Sequence, residues 1–524
     1  MYTEELWKEW HDRELRNYKE QDGKRKYLKK GYAHFDHRIW LPTQNKRLKK
    51  LLQNGLQEIN PVTKKLAYHG FTPFLRQLLK TPRFRYQEEE GRYGLEFKIR
   101  PICFASHLDS LIYGFYAYGL NKRYQEYIHD RGIQNCVLAY RSDTGKSNIQ
   151  YSKEVFDLIK NYLGSQSSCT VVALDIKGYF DHILHPILKE KWTKVWGDRL
   201  PEDQFRIFKT LTNYSYVKRS KIFQKYDIDE RKLKKNGAFP ATLFEFIPGA
   251  SIKDKYDSLK TDRIIVDNWP SRHNPNPKGI PQGSSLSALL SNIYLIDYDE
   301  EMNHWAIERS CVYRRYCDDI ILICPTNVAN EFKQKSITDI REIYGLTIQD
   351  AKAEVIDFMP NSKNKIRGFR RLKNQSDIPI LPTAANERSL YKNLQYLGFE
   401  FNGKDVFIRT SSLSRYFRKM KGREDKTVSM AYSSNSRGEK IHRYQIYERY
   451  SHLGEQNFLS YAKKAASKQY RGKDGRWHLG HDSKTIRQQL ARHMHILDTT
   501  LEKKNLQRYA LKRIKGKNPK LRSI

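Results

Sequence analysis

One seven-residue run, Cys169-Thr170-Val171-Val172-Ala173-Leu174-Asp175, constrains the fold of this chain more than any other stretch. It is apolar almost throughout, lacks the alternation of a half-exposed strand, and ends in an acid. A run of that length and composition reads as a central strand buried on both faces. Such a strand needs a neighbour on each edge and a packed layer over each face, so the chain must build a sheet with a core on both sides of it. Asp175 then emerges where the strand leaves the sheet.

A second stretch, Cys311 to Cys324 (CVYRRYCDDIILIC), supplies a partner. Two short β-rich runs flank Tyr316-Cys317-Asp318-Asp319, the pattern of a hairpin with its turn at the centre. Adjacent carboxylates repel, and they stay ionised most readily when a divalent cation sits between them. An Asp-Asp turn alone is more often simply solvated, and Asp175 alone more often just ends a strand. In one sheet, however, Asp175, Asp318 and Asp319 bring three carboxylates together. Hard oxygen ligands in that number suit two Mg²⁺ ions about 4 Å apart, one activating a hydroxyl and one steadying a leaving group. The same ions neutralise charge on a transferred phosphoryl group.

Charge narrows the partner. With 96 Lys+Arg against 59 Asp+Glu, the 524-residue chain carries a formal charge of +37, which calls for a polyanion. Interleaved aromatics (35 Tyr, 23 Phe, 8 Trp) suit single-stranded nucleic acid, although most of them must serve the core. The length fits two or three domains. Six scattered cysteines without a CxxC pair exclude a readable zinc ribbon or disulfide framework. The charged start and the lack of any stretch near 18 apolar residues point to a cytoplasmic, reducing location and no membrane partner. His478, His481, His493 and His495 lack cysteine or acid partners at ligand spacing and read as RNA-facing or structural.

In chain order, residues 1 to about 95 read as mostly helical, with amphipathic patterns at Leu48–Leu52 and Phe74–Leu79. Leu95–Phe104 reads as a strand with Lys98 and Arg100 on one side. Val137–Arg141 leads into a polar loop, and a helix over Lys153–Leu163 buries Val155, Leu158, Ile159 and Tyr162 before Gly164 stops it. A further helix carries Leu188, Trp192 and Val195. Lys278–Ser285 is a glycine-rich turn opening a long helix with Leu286, Leu289, Leu290, Ile293 and Ile296 inward. A helix over Val328–Tyr344 ends at Gly345, Lys352 precedes a strand-like run, and Leu394–Phe401 forms a short aromatic hairpin. Beyond about 410 the chain turns helical, basic and tyrosine-rich, and ends in a flexible tail.

The ordered set LDIKGYFDHI, GIPQGSSLSALLSNIYL, YCDD, a lysine-bearing segment and YLGF resembles the palm of a reverse transcriptase. The resemblance spans about residues 95 to 410 and lies with the bacterial lineage of group II introns, retrons and defence-associated enzymes. It implies a right-hand polymerase with an α/β (α+β) palm. Residues 1–165 would be N-terminal extension and fingers, and 166–400 palm with an insertion lying over it at about 200–275. Residues 401–524 would be thumb and basic helical region. The implied activity is RNA-directed DNA synthesis with two Mg²⁺ ions, Mn²⁺ being a substitute. The implied partners are an RNA template (a cognate non-coding RNA), dNTPs and the DNA product, with homo-oligomerisation left open.

Roles carry over by position. Asp175, the Ile176 carbonyl and Asp318 resemble the metal-binding set, with Asp319 in support, and Lys352 resembles the lysine that protonates pyrophosphate. Phe180 matches the bulky gate against a 2′-hydroxyl; Asp181 beside it is a caution, since some RNA polymerases bind ribose with an acid there. Gln282 and Gly283 resemble the turn that meets the incoming nucleotide and its template base, where only glycine lets backbone approach. Lys98, Arg100 and Arg141 lie where cations hold the triphosphate. Tyr396, Leu397, Gly398 and Phe399 resemble the primer grip, its aromatics positioning the 3′ end.

The chain also departs from the pattern. Cys317 replaces a more usual Ala, Val or Met and reads as a small packed side chain. The segment from Phe180 to Gly279 is long, and both a retron Val-Thr-Gly signature and a paired-cysteine endonuclease are missing. The closest likeness is to the defence-associated, abortive-infection-like group, implying an anti-phage role. The alternatives are a retron or intron-type enzyme and, from another class, a non-catalytic maturase-like RNA-binding scaffold. Tyr432, Tyr444, Tyr447, Tyr450, Tyr461 and Tyr470 raise protein-primed synthesis, against the simpler reading of helix packing and base stacking.

Overall fold

The computed structural model describes residues 2–517 apart from 22, 29–30, 61, 88–90, 142, 231–232, 234–241, 273, 350–352, 373–379, 434–440 and 473. At its centre, the strand Cys169–Asp175 lies inside a five-stranded antiparallel sheet. The hairpin strand Asp319–Cys324 pairs along one edge of it and Glu354–Pro360 along the other. Val312–Tyr316 and Ile366–Arg370 complete the sheet outside them. The expected boundaries of the central strand are the observed ones.

That strand is apolar on both faces because two separate cores meet at it. Val172 and Leu174 point into one core with Ile320 and Leu322, packed against helices His107–Asp130, His185–Trp196 and Ser285–Tyr294. Cys169 and Val171 point into the other with Ile321 and Ile323, under helices Asn148–Ser165 and Thr410–Ala431. The alternation of Cβ directions along a strand divides the run between them.

Ser284 caps the helix Ser285–Tyr294, its hydroxyl accepting from the Leu286 amide. Leu286, Leu289, Leu290, Ile293 and Ile296 are buried as expected, although the helix breaks at Leu295 and resumes as Ile296–Glu308. The helix expected over Lys153–Leu163 runs Asn148–Ser165, so Gly164 lies within it instead of stopping it. Leu394–Tyr396 and Phe399–Phe401 form the expected hairpin and recruit Val406–Ile408 as a third strand.

Two local expectations fail, and with the first goes the reading of residues 1 to about 95 as mostly helical, since among the described residues there only Glu4–Leu15 and Leu41–Gln53 are α-helices. Phe74–Leu79 is not a helix: Phe74–Gln87 is a strand paired along its length with Arg92–Phe104. Its apolar pairs at 74–75 and 78–79 fit a helical face, but long-range pairing overrides that local pattern. The second concerns residues 200–275, expected as an insertion lying over the central sheet. Strand Ser215–Lys218 instead pairs in parallel with Phe74–Arg76 and carries Ile265–Asp267 on its other edge. The segment thus extends the long hairpin into a four-stranded sheet with a small core of its own around Val217, Ile222 and Leu259.

At the C-terminus, part of the expected tail (Ala510–Lys517) continues the helix His493–Lys517; the remainder lies outside the described residues. All six cysteines are free and buried. Among the described residues no helix is long and apolar enough to cross a membrane.

Candidate active site

The sheet brings the expected carboxylates together. Asp319 is the first residue of its strand and stands in register opposite Asp175, the last of the central strand. Cys317 and Asp318 form the two-residue turn, and Cys317 takes the left-handed conformation (φ 58°) that such a tight turn demands. The Ile176 amide donates to the Asp318 carbonyl at 3.1 Å, tying the turn to the end of the central strand. On its other edge that strand end is held by the Gln349 amide donating to the Asp175 carbonyl and the Lys177 amide donating to the Thr347 carbonyl.

The electrostatics are those of crowded acids. Burial pushes the Asp318 carboxyl above the usual carboxylate range, and the charge of Asp175 adds to it. Asp319 is pushed up to about 7 by burial and then by Asp318 and Asp175, with Arg409 and Lys98 opposing. Among the described residues no group of three or more His, Cys, Asp and Glu side chains forms a ready cage for a metal ion. The donor set nonetheless fits one: half-buried, mutually repelling carboxylates at a strand end are relieved by a hard divalent cation. Asp175, Asp318, Asp319 and the Ile176 carbonyl are the groups positioned to hold it.

Cys317 is packed, its Sγ 3.7 Å from both the Ser291 and Tyr140 hydroxyls, and burial pushes its thiol up to about 12. It is the small neutral side chain that the sequence suggested.

A cleft of about 980 Å³ lies beside the turn, with Phe180, Gln282 and Gly283 in its wall. Phe180 sits on the short helix Tyr179–His182, and its carbonyl accepts from the Ile280 amide. Gln282 and Gly283 are pressed onto the strand Arg92–Phe104: the Cys103 amide donates to the Gln282 carbonyl at 2.8 Å. Gly283 has φ 129°, and a Cβ there would stand 2.6 Å from the Cys103 carbonyl oxygen. Glycine is required at this position by its backbone and by its neighbour. Arg13, Arg38 and Lys146, with Tyr18, Tyr32 and Tyr151, line the rest of the cleft.

The expected cations divide. Lys98 is close enough for its charge to act on both Asp318 and Asp319. Arg100 lies two residues along the same strand and therefore on the same face. Arg141 reaches the cleft wall, but its guanidinium grips Asp143 (Nε to Oδ1 2.9 Å) and the Gln134 carbonyl. It therefore holds the loop, where the expectation was a cation on the triphosphate. Lys352 lies outside the described residues.

The primer-grip expectation is revised in kind. Tyr396 and Phe399 are buried in the second core, so their rings cannot meet a strand end. The more accessible part is the half-buried turn between them, where Leu397 and Gly398 both have positive φ (45° and 93°). The Gly398 carbonyl accepts from the Arg409 amide, and Arg409 joins Lys98 as a cation whose charge reaches Asp319, a neighbour that sequence reasoning missed.

Three of the four histidines have protein partners, and His495 is exposed. His481 is buried against Phe399 and Ser152, His478 meets Asp474, and His493 meets His452. Of the C-terminal tyrosines, Tyr432 and Tyr447 bond to Asn505 and Asp498 within the helical region, while Tyr444 is the most exposed.

Residues 234–401 match the family described as reverse transcriptase (RNA-dependent DNA polymerase). The chain carries a reverse transcriptase domain. The matched span includes Gln282, Gly283, Asp318, Asp319 and Tyr396–Phe399 but begins after Asp175 and Phe180. The fold supplies what the match omits, since Asp175 is paired with Asp319 and the Phe180 carbonyl with Ile280. The five-stranded sheet is the palm of this reverse transcriptase domain.

Among solved structures, the chain is similar to apo telomerase from Candida tropicalis (13% identity, TM-score 0.36, 88% of this chain and 66% of that one). It is similar also to a C-terminally truncated form of that protein (10%, 0.36, 68% and 58%). A third is telomerase from Candida albicans with a fragment of telomeric RNA (11%, 0.33, 74% and 54%). The chain thus spans 54 to 66% of the length of these three structures. No curated protein matches the sequence.

Proposed function

We propose that the protein copies RNA into DNA by two-metal nucleotidyl transfer. The register of Asp319 against Asp175, with Asp318 in the adjoining turn, is the observation that carries this reading. Two Mg²⁺ ions, or Mn²⁺ in their place, are held by Asp175, Asp318 and the Ile176 carbonyl, with Asp319 behind them. They supply Lewis acidity at the attacking hydroxyl and the leaving pyrophosphate. Phe180 excludes a 2′-hydroxyl, Gln282 and Gly283 support the base pair being formed, and Lys98 and Arg100 approach the triphosphate. The turn Leu397-Gly398 presents backbone, not aromatic rings, to the primer end. The cleft, lined by arginines, lysine and tyrosines, suits single-stranded template.

We propose further that residues 1–165, 166–400 and 401–524 serve as fingers, palm and thumb with its basic extension. On the sequence resemblance alone, the template is a cognate non-coding RNA and the role is anti-phage defence in the cytoplasm of a bacterium. Protein priming would draw on one of the C-terminal tyrosines, of which Tyr444 is the most exposed, without any one of them being singled out as the primer.

The test is incorporation of labelled dNTPs and rNTPs by protein purified with its co-purifying RNA, in Mg²⁺ and in Mn²⁺, beside Asp318→Ala. Deoxynucleotide incorporation lost in the variant is the expected result. No incorporation of any nucleotide by the wild type would favour an RNA-binding scaffold. Label that stays with protein until protease treatment would favour tyrosine priming.

A further inference from the structure

Directly behind the carboxylate turn lies a fully buried ion pair. Arg315 and Asp299 are both 0% exposed. The Arg315 Nε donates to Asp299 Oδ1 at 2.7 Å, and its Nη2 donates to the other carboxylate oxygen. The Tyr313 hydroxyl donates to the same Oδ1, also at 2.7 Å.

A buried pair of this kind is a poor source of stability, because desolvating two charges cancels most of their attraction. Well-packed apolar residues hold a core as well. What apolar residues cannot do is donate hydrogen bonds in a fixed fork, and Arg315 uses its remaining donors on backbone. Nη1 donates to the Cys317 carbonyl at 3.0 Å, and Nη2 to the Asn292 carbonyl at 3.2 Å on the helix that follows Gly283.

The Cys317 carbonyl belongs to the peptide that joins Cys317 to Asp318. Its direction sets the plane from which the Asp318 side chain leaves. The next peptide, that of the Asp318 carbonyl, is held by the Ile176 amide. Asp318 is therefore clamped on both sides, by the central strand on one and by a buried guanidinium on the other. Asp299 orients the guanidinium and balances its charge. Arg315 also anchors its own edge strand, donating from its amide to the Cys136 carbonyl and accepting from the Leu138 amide.

We infer that Arg315, held by Asp299, is a positioning residue that fixes the direction of the Asp318 carboxylate relative to Asp175. This inference rests on the polymerase reading above. The pair acts on turnover and on cation binding, not on nucleotide affinity, since neither side chain reaches the cleft.

The decisive variant is Arg315→Met with Asp299→Leu, which removes both charges together and leaves neither buried alone. Its thermal midpoint should stay near that of the wild type. Its kcat should fall by about 10- to 100-fold, the usual cost of losing a group that orients a metal ligand, with KM for dNTP unchanged. Mn²⁺ binding to the protein without nucleotide, followed by electron paramagnetic resonance, should weaken in parallel. A folded double variant with wild-type kcat and Mn²⁺ affinity would overturn the inference, leaving the pair as packing. If the double variant does not fold, Arg315→Lys decides. Lysine keeps the charge beside Asp299 but has no planar fork, so a folded Arg315→Lys should show the same loss, and wild-type values would again overturn the inference. A wild type that fails to incorporate nucleotide but binds Mn²⁺ more tightly than the double variant would sink the polymerase reading and leave the positioning role standing.

Discussion

The two larger sheets of the molecule use apolar residues in opposite ways. In the palm sheet, Ile320 and Leu322 are 0% exposed, and every strand near the carboxylates has cover on both faces. In the long hairpin, Leu95, Phe97 and Ile99 are about half exposed (53, 49 and 51%), although they too lie in a fully paired strand. Both sheets pair their strands along their length; the outer strand of the long hairpin leaves its apolar side chains exposed, while the small core of that sheet sits around Val217, Ile222 and Leu259. Rigidity near Asp175, Asp318 and Asp319 therefore comes from packing. The hairpin, joined to the palm through the contact of Cys103 with Gln282, keeps its cations near the site without being fixed by a core.

The contrast can be broken most directly by truncating one residue in each sheet. Leu322→Ala should destabilise the protein by about 2–5 kcal/mol, whereas Phe97→Ala should stay within about 0.5 kcal/mol, both read by urea unfolding. A large loss for Phe97→Ala would mean that the outer face of the hairpin is packed in solution. At the junction of the two sheets, Gly283→Ala meets the Cys103 carbonyl at 2.6 Å and should cost about 1–3 kcal/mol through forced backbone strain. Incorporation should fall more than stability does, because the cleft wall moves with it.

Lys98→Ala tests whether the hairpin contributes charge and nothing more. KM for dNTP should rise about two- to fivefold, matching about 0.5–1 kcal/mol for a partly exposed charge, with kcat and unfolding midpoint unchanged. Near neutral pH the smallest effect is expected at His481, whose imidazole burial holds at about 3, so that its contribution shows only on the acid side. The unfolded chain takes up that proton near pH 6.5, so from about pH 6.5 down to 3 the unfolded state binds more protons and stability falls with pH. His481→Phe should flatten the acid limb of a thermal-midpoint profile and leave the neutral limb alone.

The same contrast explains what could be read from the sequence. Cys169–Asp175 and the hairpin around Asp318 were legible because total burial leaves an unbroken apolar signature. Phe74–Leu79 was not, since a half-exposed strand carries mixed residues whose spacing also fits a helical face. The sequence position of Arg141 suits a triphosphate contact, but Asp143, two residues on, takes its guanidinium in the fold. The inward turn of Arg315 had a faint signal: Arg314 and Arg315 are adjacent in one strand, so one of them must face the core. Which of the two, and that Asp299 waits for it, only the fold reveals. The primer-grip aromatics show the converse, a motif legible in position but not in orientation.

The palm sheet is also a party wall. Odd positions of its central strand lean on the C-terminal body and even ones on the N-terminal body, so neither tenant can be evicted without stripping cladding from the strand that ends in Asp175. A chain cut after the matched family span would leave Val171, Ile321 and Ile323 with only the helix Asn148–Ser165 and the aromatic hairpin to shelter them. The smallest unit able to keep its acids in register is accordingly much larger than the segment that identifies it.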